Sequence, residues 1–444
     1  MANREMKDSG VEWIGKIPKH WEVMTLKRST ISVKGGIWGE EEKKDENDIP
    51  CVRITDFDRS NYTLLDKDLI LRNLPQEKQK DYILNKGDLL IEKSGGGAKT
   101  PVGQVVIYNK DYPAIYTNFT AKIEINKQIV SSEYFNYLNA TLYNLGITVR
   151  SIKQTTGIQN LDLNNYLMEK ASFPTIEEQQ KIAAFLDEKV AHIDNIIEDT
   201  KISIENLKAY KQSLITETVT KGLSPDVETK DSGVEWFGRI PSHWKVSKVG
   251  NVFEVILGKM LSTFPKESNW TEERYLSAIN VHFEGVETFN LKKMWFSPVE
   301  KEKLEVKFGD LLVVEGGAGA GGSALYLSEE KGIYVQNSIN IVRPKANLSN
   351  TSFAYYIFYC LVKNGYVDYV SNKATIPHFT KEKVQSVPYP IIPLNEQQVI
   401  VEFLDERTKQ VDSLIDQKEQ LVIELESYKK SLIYEYVTGK KEVN

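Results

Sequence analysis

The sequence predicts an α+β protein: two mixed α/β domains joined by two long antiparallel coiled-coil helices, arranged as a pseudo-two-fold tandem repeat. Three observations predict it. The segment KDSGVEW occurs twice, at 7–13 and 230–236. Two segments, 177–220 and 395–437, contain neither Pro nor Gly and carry apolar residues on a seven-residue period. The stretches between them are strand-rich and punctuated by Gly, Asn, Asp and Pro.

The repeat extends beyond its opening. IGKIPKHWEV at 14–23 pairs with FGRIPSHWKV at 237–246. EEQQKIAAFLDEKVAHIDNII (177–197) pairs with NEQQVIVEFLDERTKQVDSLI (395–415), and AYKQSLITETVT (209–220) with SYKKSLIYEYVT (427–438). The middles diverge, leaving echoes such as KGDLL (86–90) against FGDLL (308–312). The expected boundaries are 1–173 for the first domain, 174–222 for a central helical spacer, 223–389 for the second domain and 390–444 for a C-terminal helical spacer.

Each helix presents a seam. In the first it runs through Leu186, Ile193, Thr200, Leu207 and Leu214, flanked by Val190, Ile197 and Ile204. In the second it runs through Leu404, Val411, Lys418, Leu425 and Leu432, flanked by Ile415 and Val422. Thr200 and Lys418 are polar at the same repeat position, a register-setting device. At 1.5 Å per residue each helix reaches roughly 65 Å. Antiparallel pairing buries both seams within one molecule; the alternative is that each helix dimerises with another chain. In the domains, strands are expected at 49–57, 87–93, 102–108, 309–315 and 339–344, and core helices near 132–145 and 351–364.

The 444 residues, 41% apolar and 27% charged, describe a folded chain of two or three domains. No apolar run is long enough to span a membrane, and the polar start MANREMKDSGVEW lacks a signal-peptide core, so a cytoplasmic protein is expected. Two cysteines, Cys51 and Cys360, exclude a disulfide framework and a Cys-rich zinc site, and five scattered histidines leave little for a metal cluster. The net charge of −6 is unevenly placed: the helical segments carry −7 and the globular segments +1. The domains are therefore open to nucleic acid, while the acidic helices suit either solvent or a docking partner.

These residues place the sequence in a known pattern. The duplicated DSGVEW-x-G-x-IP-x-HW openings (8–21 and 231–244) resemble the specificity subunits of type I restriction–modification systems. So do Phe173-Pro174 with Glu178-Gln179-Gln180, Tyr389-Pro390 with Glu396-Gln397-Gln398, the FLDE and SLI stretches, the IPCVRITD strand and the two GDLL strands. IPCVRITD has only a loose counterpart, RYLSAINV (274–281), in the second half. The resemblance covers essentially the whole chain. It implies two target-recognition domains, each reading one half of a bipartite double-stranded DNA site, with helices that space them. It also implies two modification subunits docked on the helices and binding S-adenosylmethionine, no cofactor on this chain, and a restriction subunit as an optional further partner.

Candidate DNA-contacting residues are chosen because Arg, Lys, Asn and Gln match base edges and phosphates. In the first domain they are Lys34, Trp38, Arg53, Lys93, Ser94, Lys99, Thr100, Gln154, Thr155, Gln159 and Asn160. In the second they are Lys259, Asn280, Gly317, Gly319, Lys373 and His378. KSGGGAKT (93–100) is not a phosphate loop, because Lys93 and Ala98 occupy the required glycine positions. GGAGAGG (316–322) contains a formal G-x-G-x-x-G, but SALYLSEEKG after it is too short for the helix a dinucleotide needs. The repeated His20-Trp21 and His243-Trp244 read as turns that bury an indole rather than as catalytic groups. The N/D-P-P-Y/F, GxSxG and HExxH motifs are absent, so no catalytic residue or metal ligand is expected on this chain. The competing reading is a coiled-coil scaffold with two protein-binding domains and no DNA.

Overall fold

A computed structural model describes residues 4–154, 157–317, 319–345, 348–371 and 378–443. The chain forms two compact units, Met1–Lys201 with Gln420–Asn444, and Ile202–Glu419. Two long helices, Ile176–Lys221 and Leu394–Val437, contribute to both.

Each repeat opens with the same small hairpin. Met6–Asp8 pairs antiparallel with Lys16–Pro18, and Thr229–Asp231 with Arg239–Pro241. The Asp of DSG accepts the glycine N–H two residues on (Asp8 from Gly10, 2.9 Å; Asp231 from Gly233, 2.8 Å). Both glycines are left-handed, at φ 66° and 72°, where a side chain is strained.

The central sheet of each unit has the same four strands in the same order. In the first unit it runs Val105–Ile107, Leu89–Glu92, Thr120–Ile125, Thr30–Gly35; in the second, Ser323–Leu325, Leu311–Val314, Ile339–Pro344, Phe253–Leu257. Leu89–Glu92 and Leu311–Val314 are buried along their whole length, which explains the apolar runs Leu89–Ile91 and Leu311–Val314. The Asp of GDLL closes the preceding turn and takes a cation from the neighbouring strand. Asp88 accepts from the Asn85 N–H (2.8 Å) and Lys122 (2.6 Å), and Asp310 from the Lys307 N–H (2.7 Å) and Arg343 (2.6 Å). Helices Ser132–Asn144 and Thr351–Lys363, capped by Ser131 and Asn350, cover one face with aromatic residues.

The E-Q-Q segment ties each long helix to its domain. Glu178 and Thr175 form a capping box at the first helix start. The same carboxylate pairs with His20 Nε2 (2.9 Å) and faces the indole N–H of the fully buried Trp21 (3.4 Å). In the second unit Glu396 meets His243 Nε2 (3.0 Å) and the Trp244 N–H (2.9 Å). The next residue is buried: Gln179 accepts from the Ser131 N–H, and Gln397 from the Asn350 N–H, both at 2.9 Å.

Within each unit the two long helices run antiparallel. In the first, Phe185 stacks on Tyr436 and Asp194 pairs with Lys429; in the second, Ile204 packs with Val411 and Ile415, and Lys211 pairs with Asp412. Of the expected seam, Leu186, Ile193, Leu404, Val411 and Leu432 are buried. Leu207, Leu214 and Leu425 are only half-buried, while their neighbours Ile204, Ile215 and Ile433 are buried. A straight helix drifts about 20° per heptad against a strict seven-residue repeat, so the contact stripe moves to adjacent positions. Among the described residues no helix is long and apolar enough to cross a membrane, and no group of three or more His, Cys, Asp or Glu is arranged to hold a metal.

Candidate nucleic-acid interface

In the first unit the buried strand Leu89–Glu92 ends where the glycine-rich segment begins. The N–H groups of Lys93 and Ser94 both donate to Phe119 O, at 2.8 and 3.1 Å, turning the chain out of the sheet. Ser94–Gly95 then pairs with Gln159–Asn160, and Ile152–Gln154 pairs with the other edge of Gln159–Leu161. This small sheet gathers residues that lie some 60 positions apart. Ser94 Oγ donates to Asn160 Oδ1 at 2.6 Å. Gln154 and Asn160 are exposed on it, and Lys99 and Thr100 are exposed in the loop that follows Ser94–Gly95. Gly95 is left-handed at φ 118°, and its open side faces Ile54, which brings the segment after Arg53 against the loop. Lys93 Nζ lies against Gly35, next to Lys34. Lys34 itself stands over the Tyr82 ring (4.8 Å), 3.5 Å from Asp81.

Three candidates have internal duties here. Gln159 is buried, and its Oε1 accepts from the Val102 N–H (3.2 Å), so it holds the sheet to the loop's end. Arg53 grips Asp56 through Nε and Nη2 (3.2 and 3.0 Å). Burial pushes the Asp56 carboxyl up, but Arg53 and Lys67 outweigh it and hold the group below its ordinary range. Trp38, 40% exposed, carries the Arg72 guanidinium over its ring at 4.8 Å. Thr155 lies outside the described residues.

The loose counterpart RYLSAINV is structurally equivalent to IPCVRITD. Strands Asp48–Val52 and Thr271–Leu276 each lead into a short 3-10 turn, Ile54–Asp56 and Ala278–Asn280. Asp56 and Asn280 occupy matching positions and cap those turns, Asn280 accepting from the Ser277 N–H (2.9 Å). Asn280 therefore spends its side-chain oxygen within its own turn. Lys259 also points inward: its Nζ donates to Glu300 (2.6 Å) and sits 3.7 Å from the centre of the Trp270 ring, with 10% of the side chain exposed. The segment 316–322 leads into the strand Ser323–Leu325, antiparallel to Leu311–Val314, so it is a hairpin connection. Within it Gly317 O accepts from the Ala320 N–H and Gly319 O from the Gly322 N–H. His378 is exposed and its backbone bridges to Gly316, next to Gly317 at the start of the glycine-rich segment. Lys373 lies outside the described residues.

Sequence reasoning missed a buried group at the base of the first loop. Glu92 is fully buried and bonded to Arg59 Nη2 (2.8 Å). Burial raises its carboxyl above the ordinary value in spite of Arg59. The available signal was the register of the acidic residue closing the apolar run: it is Glu92 in GDLLIE, where the second half has Val314 and reaches its glutamate, Glu315, one residue later.

Two copies of one mixed domain, each with an elaborated loop at the end of its central strand, define a tandem recognition protein. Residues 18–206 and 241–426 match the type I restriction modification DNA specificity domain, and the chain belongs to that family. Within it the chain is a specificity subunit, a non-catalytic component. It is 25% identical over 439 residues to the putative type I restriction enzyme MjaX specificity subunit of Methanocaldococcus jannaschii, covering 97% of this chain and 96% of that one. It is 24% identical over 309 residues to the type I restriction enzyme EcoKI specificity subunit of Escherichia coli K12, covering 67% and 62%. Its fold matches a chain from a structural study of type I R-M complex assembly and conformational transition (TM-score 0.72, 16% identity, 96% and 99% covered). It also matches the HsdS subunit from Thermoanaerobacter tengcongensis (TM-score 0.55, 15% identity, 96% and 98% covered).

Proposed function

We propose that this chain selects the DNA target of a type I restriction–modification complex. Each domain reads one half of an asymmetric bipartite site through the loops at the end of its central strand. The observation that carries this reading is that the two units share a frame and differ at that end. The first offers Lys93, Ser94, Lys99, Thr100, Gln154 and Asn160; the second offers a glycine-rich turn beside His378. Donor-rich, exposed loops on a fixed sheet suit base edges and phosphates, and unlike loops suit unlike half-sites.

The helices serve as spacer and dock two modification subunits, which bind S-adenosylmethionine and carry the chemistry in the cytoplasm. A restriction subunit joins where cleavage is needed. The test is genome-wide base modification in the host with and without this gene. Loss of one methylated motif made of two unlike short halves at fixed spacing supports the reading and supplies the sequence. Loss of a continuous motif, or no change, overturns it.

A further inference from the structure

The glycine-rich loop 93–101 is held at both ends by one partly buried network anchored on the fully buried Glu92. Glu92, the residue before it, accepts from Arg59 Nη2 at 2.8 Å. Arg59 Nη1 donates to the Tyr143 hydroxyl at 3.4 Å, and that hydroxyl donates to the carbonyl of Pro101 at 2.8 Å. Arg59 comes from the hairpin Phe57–Asp58/Thr63–Leu64 and Tyr143 from the helix Ser132–Asn144. Two separate elements thus pin the two stems of one loop. Between the stems the backbone has little freedom. Gly96 is left-handed at φ 62°, and a Cβ there would lie 2.8 Å from Thr100 O and 2.9 Å from the Val102 nitrogen.

The network is particular to this domain. The second unit has Val314 at the position of Glu92, packed in an apolar cluster. Features common to both units, such as Glu178 and Glu396, build the frame. One carboxylate oxygen of Glu92, Oε1, is buried without a hydrogen-bond partner, which is expensive for a purely structural element. The second unit also buries a carboxylate oxygen, Glu315 Oε2, but one residue further along, and among the described residues no arginine bonds to it.

We propose that Arg59, Glu92 and Tyr143 are positioning residues that set the first domain's choice of half-site by fixing loop 93–101 on the DNA. The inference rests on the DNA-reading role proposed above. A loop free to shift by about 1 Å presents its donors to the wrong base edges as readily as to the right ones.

The test uses the complete complex with its modification subunits, on duplexes bearing single base changes in either half of its target. Arg59→Met should lower the cognate-to-substituted ratio of methylation rates about tenfold in the half-site read by the first domain. The ratio in the other half should stay within about twofold, and Arg59→Lys should restore part of the loss. Tyr143→Phe removes only the hydroxyl and carries the same test if Arg59→Met does not assemble. Equal loss in both halves, or unchanged discrimination in both, overturns the proposal. Lys99→Ala separates the two levels. If it weakens DNA binding while the network variants leave discrimination intact, only the positioning role falls. If neither it nor they alter binding or discrimination, the loop is not on the DNA and the interface reading falls with it.

Discussion

Lys429 Nζ lies 2.5 Å from Asp194 Oδ1, and the repeat reproduces this pair with the helices exchanged, as Lys211 Nζ 2.6 Å from Asp412. In the first unit the cation sits on the C-terminal helix; in the second it sits on the central helix. The two pairs differ in burial. Lys429 is 6% exposed and also touches Asn61 of the domain (3.3 Å), while Lys211 is 22% and Asp412 49% exposed. Removing one partner of a buried pair leaves an uncompensated charge, whereas a surface pair contributes little. Asp194→Ala should therefore destabilise the first unit by about 3 kcal/mol, and Asp412→Ala the second by less than about 1 kcal/mol. Urea unfolding of the two variants checks the contrast; equal effects would contradict it.

The Glu178 cluster predicts a pH dependence. Burial pushes this carboxyl up, but the His20 ring, the Thr175 N–H and the Trp21 indole outweigh it and hold it below its ordinary value of 4.5. A carboxyl whose folded value is depressed adds stability that is full above the unfolded value. That stability is lost as pH falls through the folded one. The first unit should therefore lose stability as pH drops below about 4.5. Glu178→Gln should be less stable at neutral pH and show a shallower acid limb. Chemical denaturation at a series of pH values reads both, and an unchanged acid limb would remove Glu178 from the account.

How much of this was legible in the sequence depends on how local each cause is. The seven-residue apolar period gave the two helices to within a residue or two, and GDLL gave the central strands, because both patterns repeat along the chain. The His-Trp turn was legible because it recurs with the E-Q-Q segment. What was not legible is pairing across distance. Lys259 reads as a surface cation until Glu300 and Trp270, brought by other elements, enclose it. Gln159 reads as a loop donor until Val102 claims its oxygen. Leu207 and Leu425 satisfy the heptad on paper, yet the helix geometry turns Ile204 and Ile433 inward more completely.

Two glycines carry a prediction about space rather than backbone angle. A Cβ on Gly36 would lie 2.1 Å from Tyr116 O, and one on the equivalent Gly258 2.2 Å from Gln336 O. Neither has a positive φ, so the demand is close approach of two backbones at the end of the central sheet. Gly36→Ala and Gly258→Ala should each destabilise by about 3 kcal/mol or more. Limited proteolysis or hydrogen exchange should show the damage confined to the first unit for Gly36→Ala and to the second for Gly258→Ala. Wild-type protection in either variant would mean the strands have room to part.

Lys93 and Lys259 make the sharpest comparison between the two units, because the sequence offers both as DNA contacts and the fold treats them oppositely. Lys93 stands at the mouth of the exposed loop against Gly35, while Lys259 is enclosed by Glu300 and Trp270. A phosphate-contacting lysine releases about one counterion, so Lys93→Ala in the assembled complex should weaken binding across sequences and reduce the slope of log affinity against log salt by about 1. Its unfolding midpoint should be unchanged. Lys259→Ala should do the reverse: it strips Glu300 of its cation and uncovers the indole, lowering the midpoint while leaving the salt slope as it was. Binding measured over a range of salt, paired with thermal unfolding of the same samples, separates the two roles. A reduced slope for Lys259→Ala would place that side chain on the DNA after all, and an unchanged slope for Lys93→Ala would take the first loop off it.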